Sequence, residues 1–144
     1  MLKTDVRLLW VLGLTLLVKL AVAWFLPLIG DEAYFIIWGK HPDFGFYDHT
    51  PMVGWFLTAM LSVSDAAIWL RLPQILITTF IGWAIYLLVR RQNETAALMV
   101  AVLYLLSPIN ILGVVITTDT PLLLWSFLSG ICFYYAQRDD NRYW

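Results

Sequence analysis

Apolar residues run almost unbroken from Leu8 to Ile29. At about 1.5 Å of rise per residue such a stretch crosses a hydrocarbon core of roughly 30 Å. Comparable runs cover about 68–89, 95–115 and 121–137. The pattern therefore predicts an all-α integral membrane protein with about four transmembrane helices. Ser107-Pro108 falls inside the third run, where a missing N–H and the proline ring predict a kink, and the fourth run is short for a span. Residues 30–67 form the one long loop, with short amphipathic interfacial helices expected near 31–40 and 52–63.

Composition agrees with lipid as the solvent. Hydrophobic residues make up 61% of the 144-residue chain and charged residues 13%, against about 25% charged for a soluble domain. A net charge of −1 supplies no field for nucleic acid. The single cysteine, Cys132, cannot form an internal disulfide. Lys3, Arg7, Arg90, Arg91, Arg138 and Arg142 fall on one side of the four runs, while Lys40 and Arg71 fall on the other. The positive-inside rule then places both termini in the cytoplasm and residues 30–67 on the periplasmic or lumenal face. Lys3, Arg7 and Ala21-Val22-Ala23 also fit a signal peptide, but Lys19 interrupts its apolar region and hydrophobicity continues through Trp24-Phe25-Leu26. Either reading leaves the following loop outside.

The loop opens with Gly30-Asp31-Glu32-Ala33-Tyr34 and carries Trp38, Lys40, His41, Asp43, Tyr47, Asp48 and His49. Asp31 can be an N-cap for a helix that follows Pro27 and Gly30. It can also be a general base, because a carboxylate partly stripped of water at a lipid boundary gains basicity. Successive helical positions differ by about 100°, so Asp31 and Glu32 cannot both face one reacting atom; one reacts and the other positions. Phe35 and Trp38, at i+4 and i+7, give Asp31 an apolar wall. Asp119, in Thr117-Thr118-Asp119-Thr120-Pro121, returns to the same face, either as a helix start or as a second acid. Arg71 and Lys19 are cations inside or beside apolar runs, where each needs an anionic partner, a water-filled cavity or a route to snorkel. Lys19 lies too deep to snorkel, and its partner is expected on helices beyond this chain. His41, His49, Asp43 and Asp48 match no standard metal spacing, so no metal ligand is assigned, although a divalent cation stays possible.

Four segments carry a resemblance: Asp31-Glu32-Ala33-Tyr34, Tyr47-Asp48-His49-Thr50-Pro51, Trp69-Leu70-Arg71-Leu72-Pro73 and Thr118-Asp119-Thr120-Pro121-Leu122-Leu123-Leu124. In order and spacing they resemble the N-terminal part of bacterial GT-C membrane glycosyltransferases of the dolichyl-phosphate-mannose protein mannosyltransferase superfamily. The branch nearest in pattern contains the lipid A aminoarabinose transferases. Those enzymes are several times longer, so residues 1–144 are expected to be an N-terminal part of the transmembrane domain. The resemblance implies inverting transfer of a sugar from a polyprenyl-phosphate carrier to a lipid A, glycan or protein acceptor on the periplasmic face of the inner membrane. It maps the first-loop acid onto Asp31, its neighbour onto Glu32 and the second external acid onto Asp119. It makes Tyr47, Asp48, His49 and Arg71 candidates for substrate binding, with His49 and Arg71 at the departing phosphate. A rival from another class is a non-catalytic transporter or flippase-like subunit. Transporters favour charges near the midplane and paired halves, whereas here the acids sit at the interface and no second half is visible.

Overall fold

The computed structural model describes residues 5–138, and those residues contain helices and no strand. Lys3 and Arg142, two of the cations used to orient the chain, lie outside them. The elements are α1 Val6–Phe25, α2 Gly30–Lys40, α3 Met52–Leu61, α4 Ala67–Leu70, α5 Leu72–Val89, α6 Glu94–Leu105, α7 Pro108–Leu112 and α8 Asp119–Arg138. By length and composition α1 and α5 can cross a membrane, with mean hydropathies of 2.2 and 1.8.

Local chemistry sets the helix ends. Asp5 caps α1 by accepting the Arg7 N–H at 2.9 Å, and Asn93 caps α6 by accepting the Ala96 N–H at 3.0 Å. Helix α1 stops at Phe25, short of the expected Ile29, because Pro27 holds Leu26 extended at ψ 119°. Pro73 sits in the first turn of α5, where its missing N–H breaks no helical bond. The kink expected at Ser107-Pro108 is a full break. Ser107 is extended at ψ 138°, and Pro108 starts the five-residue α7. The single run read over 95–115 is therefore the twelve-residue α6, the separate α7 and a coil through residue 118. At about 18 Å, α6 alone is shorter than a hydrocarbon core.

Helices α1, α5 and α6 pack around Leu8, Tyr86, Ala97, Ala101 and Leu105. Helices α2 and α3 form a tight hairpin over Phe35, Trp38, Val53 and Leu57. Their close approach requires Gly39, since a Cβ there would stand 2.6 Å from that of Leu57. Lys19 departs from expectation: its partners are within the chain. Its ammonium is fully buried and donates to the hydroxyls of Thr78 at 3.0 Å and Thr79 at 3.5 Å on α5. The Thr78 hydroxyl in turn donates to the Gln74 carbonyl at 2.8 Å.

Candidate active site

Asp31 and Glu32 open α2 and diverge at once. Glu32 is fully buried and forms an ion pair with the equally buried Arg71 at the α4–α5 junction. Glu32 Oε1 accepts Arg71 Nε–H at 2.8 Å and the Ile116 N–H at 2.9 Å. Its Oε2 accepts Arg71 Nη2–H at 2.6 Å and the Ile29 N–H at 3.2 Å. The guanidinium completes its set on carbonyls that end α1: Ala23 at 2.7 Å, Leu26 at 2.8 Å and Pro27 at 3.1 Å. Burial alone would raise the Glu32 pKa. The Arg71 hydrogen bonds, the two backbone N–H groups and the Arg71 charge outweigh it and hold the carboxyl below its ordinary range.

This node bears on how Arg71 and Asp31 were read from the sequence. All five N–H donors of Arg71 bond to acceptors within the protein, and the buried side chain does not snorkel. The acid that serves the α2 N-terminus is Glu32, which bonds back to the N-cap residue Ile29. Asp31 therefore does not do the capping work that the sequence allowed it. Glu32 is fully buried and ties together the segments around it.

Asp31 is exposed and makes no side-chain hydrogen bond among the described residues. It lines a cleft of about 480 Å³ together with Ile29, Tyr34, Phe35, Asp48, His49 and residues 115–118. Asp48 and His49 meet in that wall, with His49 Nδ1 3.1 Å from the Asp48 carboxylate. The imidazole lies edge-on to Phe35, with centroids 6.1 Å apart, and 5.7 Å from the Trp38 ring. Of the expected apolar wall, Phe35 lines the cleft. Trp38 lies behind it, stacked on Phe46 at 4.3 Å and 6°. That stack, with Trp55 Nε1–H donating to the Asp43 carbonyl at 3.0 Å, holds the loop that presents Asp48 and His49.

The fold thus brings Asp31, Asp48 and His49 to one cleft. Asp119 is exposed as the first residue of α8, one residue beyond Thr118 in the cleft wall, and its N–H donates to Thr117 Oγ1 at 3.2 Å. Tyr47 is fully exposed and is not part of the lining. Sequence reasoning missed Thr117, Thr118 and the Ile116 N–H. The Thr117-Thr118-Asp119 run was a signal for the first two, whereas a backbone donor leaves none. Among the described residues no three His, Cys, Asp or Glu side chains converge on a metal site, and Asp48 and His49 are bonded to each other. Among the described residues no lysine or arginine lines the cleft, and His49 is the basic side chain in its wall.

The chain belongs to the dolichyl-phosphate-mannose-protein mannosyltransferase family, a GT-C glycosyltransferase family whose sequence profile matches residues 48–144. The match takes in Asp48, His49, Arg71 and Asp119, and Asp31 and Glu32 precede it. The chain is also 43% identical over 44 residues to the lipid A galacturonosyltransferase RgtD of Rhizobium johnstonii. That match covers 29% of this chain and 9% of the relative. No solved structure matches significantly.

Proposed function

We propose that this protein is an inverting glycosyltransferase of the inner membrane, oriented with its N-terminus in the cytoplasm, that works on a polyprenyl-phosphate sugar at the periplasmic face. The acceptor is a hydroxyl of a lipid A-type glycolipid, a class suggested by the name of the RgtD relative; a glycan or protein hydroxyl would undergo the same chemistry. The observation that carries the reading is the contrast at the start of α2: Glu32 is fully bonded inside, and Asp31 stands in the cleft with no side-chain bond among the described residues.

In the proposed step the acceptor oxygen attacks the anomeric carbon from the side opposite the phosphate. The bond from that carbon to the phosphate oxygen breaks, and its electron pair leaves with the polyprenyl phosphate. Asp31 takes the proton of the attacking hydroxyl. A phosphate monoester is a good leaving group, so the site needs charge or hydrogen bonds at the departing oxygens more than an acid. His49, held by Asp48, supplies the positive charge when protonated, and the Thr117 and Thr118 hydroxyls lie on the same wall. Asp119, at the edge of that wall, positions the acceptor.

Asp31→Asn tests this, because it keeps size and hydrogen bonding but removes the base. Turnover should fall by about 10²–10⁴, the usual worth of a positioned base, with donor binding little changed. Asp119→Asn should cost less turnover at saturating donor. Wild-type turnover in Asp31→Asn would remove Asp31 as the base.

A further inference from the structure

We infer that Gln74 is a positioning residue for the segment that carries Thr117, Thr118 and Asp119, an assignment of function that rests on the transfer reading above. Gln74 lies in the first turns of α5, in the run Leu72-Pro73-Gln74-Ile75-Leu76, and is buried. A buried amide in a membrane protein must find partners inside the protein. Gln74 finds two of opposite kind. Its Nε2–H donates to the Gly113 carbonyl at 3.0 Å, and its Oε1 accepts the Thr120 hydroxyl. The amide's orientation follows from these partners, since a carbonyl can only accept.

Gly113 and Thr120 flank the segment between them on either side. Position 113 is itself built for the turn after α7, because a Cβ there would collide with the Ile109 carbonyl oxygen. Between the two anchors Ile116 is tied to Glu32, and Thr117 and Thr118 face the cleft. One side-chain amide therefore fixes where the segment enters and leaves. The Gln74 turn is braced from behind, because its carbonyl accepts the Thr78 hydroxyl that the Lys19 ammonium bonds. Glu32 sets the segment against α2, and Gln74 sets it against α5. Together they fix Asp119 relative to Asp31.

Gln74→Met keeps the length and loses both bonds; Thr120→Val loses one of them, and Thr120→Ser keeps the hydroxyl. In the intact enzyme at saturating donor, Gln74→Met and Thr120→Val should each lower kcat by about tenfold, with donor KM within about twofold. The double variant should be no worse than Gln74→Met, and Thr120→Ser should stay near wild type. Spin labels on cysteines at Ile37 of α2 and Leu122 of α8, in a Cys132→Ser background, read the geometry without any assay of activity. Their distance distribution should broaden or shift in Gln74→Met. An unchanged distribution, or additive losses in the double variant, would overturn the positioning role. Wild-type turnover in Asp31→Asn together with a broadened distribution would remove the base assignment and leave this one standing.

Discussion

The buried node at Glu32 and the open cleft at Asp31 start from adjacent residues and share one helix turn, yet they are opposite environments. At the node every polar atom is matched: four bonds reach the carboxylate and five leave the guanidinium, tying α2, the α4–α5 junction, the end of α1 and the coil before α8. In the cleft Asp31 has none among the described residues, and its neighbours are an imidazole, two threonines and aromatic edges. The comparison teaches that an acidic pair at a membrane surface divides its labour by what each side chain is already bonded to. A carboxylate holding Arg71 cannot also accept a substrate proton without breaking the fold. Its neighbour, about 100° around the helix, carries no such bond among the described residues and is the proposed base.

The strongest way to break the comparison is to unpair the node. Arg71→Met leaves a buried carboxylate without its cation, a change that costs about 3–5 kcal/mol, so the folded protein should largely fail to accumulate in membranes. Arg71→Lys keeps the charge but not the planar fork, and it should lower the thermal midpoint in detergent while donor affinity of the surviving enzyme stays intact. A variant that folds normally but binds donor weakly would return Arg71 to the substrate site. Asp31→Asn should do the reverse, with turnover lost and the thermal midpoint unchanged.

Acid titration sharpens the contrast further. Glu32 is held below the ordinary carboxyl value of 4.5, so it contributes stability that is present above that value and is lost as pH falls through the lower folded-state pKa. Denaturation followed by circular dichroism should show a steep loss below about pH 4.5. Asp31→Asn should leave that loss in place. Glu32→Gln, less stable at neutral pH, should show a shallower dependence. The smallest effect concerns orientation alone. Cysteines at Lys40 and Asn93, in the Cys132→Ser background, should differ in labelling by an impermeant thiol reagent in intact cells, with only position 40 modified. Labelling of position 93 and not 40 would invert the topology and put the cleft on the cytoplasmic face.

Much of the helical framework was readable from local patterns. Apolar runs located α1 and α5, and the polar-interrupted stretch between them held α2 and α3 where short helices were expected. Boundaries slipped where proline acted more strongly than the hydrophobic run suggested, at Pro27 and Pro108. Of the candidate site, the two acids of α2, the Asp48-His49 pair and the threonine-flanked Asp119 were visible as polar residues that lipid would not tolerate without a purpose. Their partners were not. Lys19 meets Thr78 and Thr79, and Arg71 meets Glu32, across 59, 60 and 39 residues of chain.

By itself the sequence determined the solvent, the helical class and the list of polar residues that must be satisfied. Those follow from composition and short-range periodicity, which act within a turn or two of the chain. Only the tertiary structure decided which acid is bonded and which is open, because that depends on where a guanidinium, three carbonyls and a backbone N–H from distant segments come to rest. A buried charge takes the partners that folding brings within about 3 Å, and the acid left without them is the one proposed as the base.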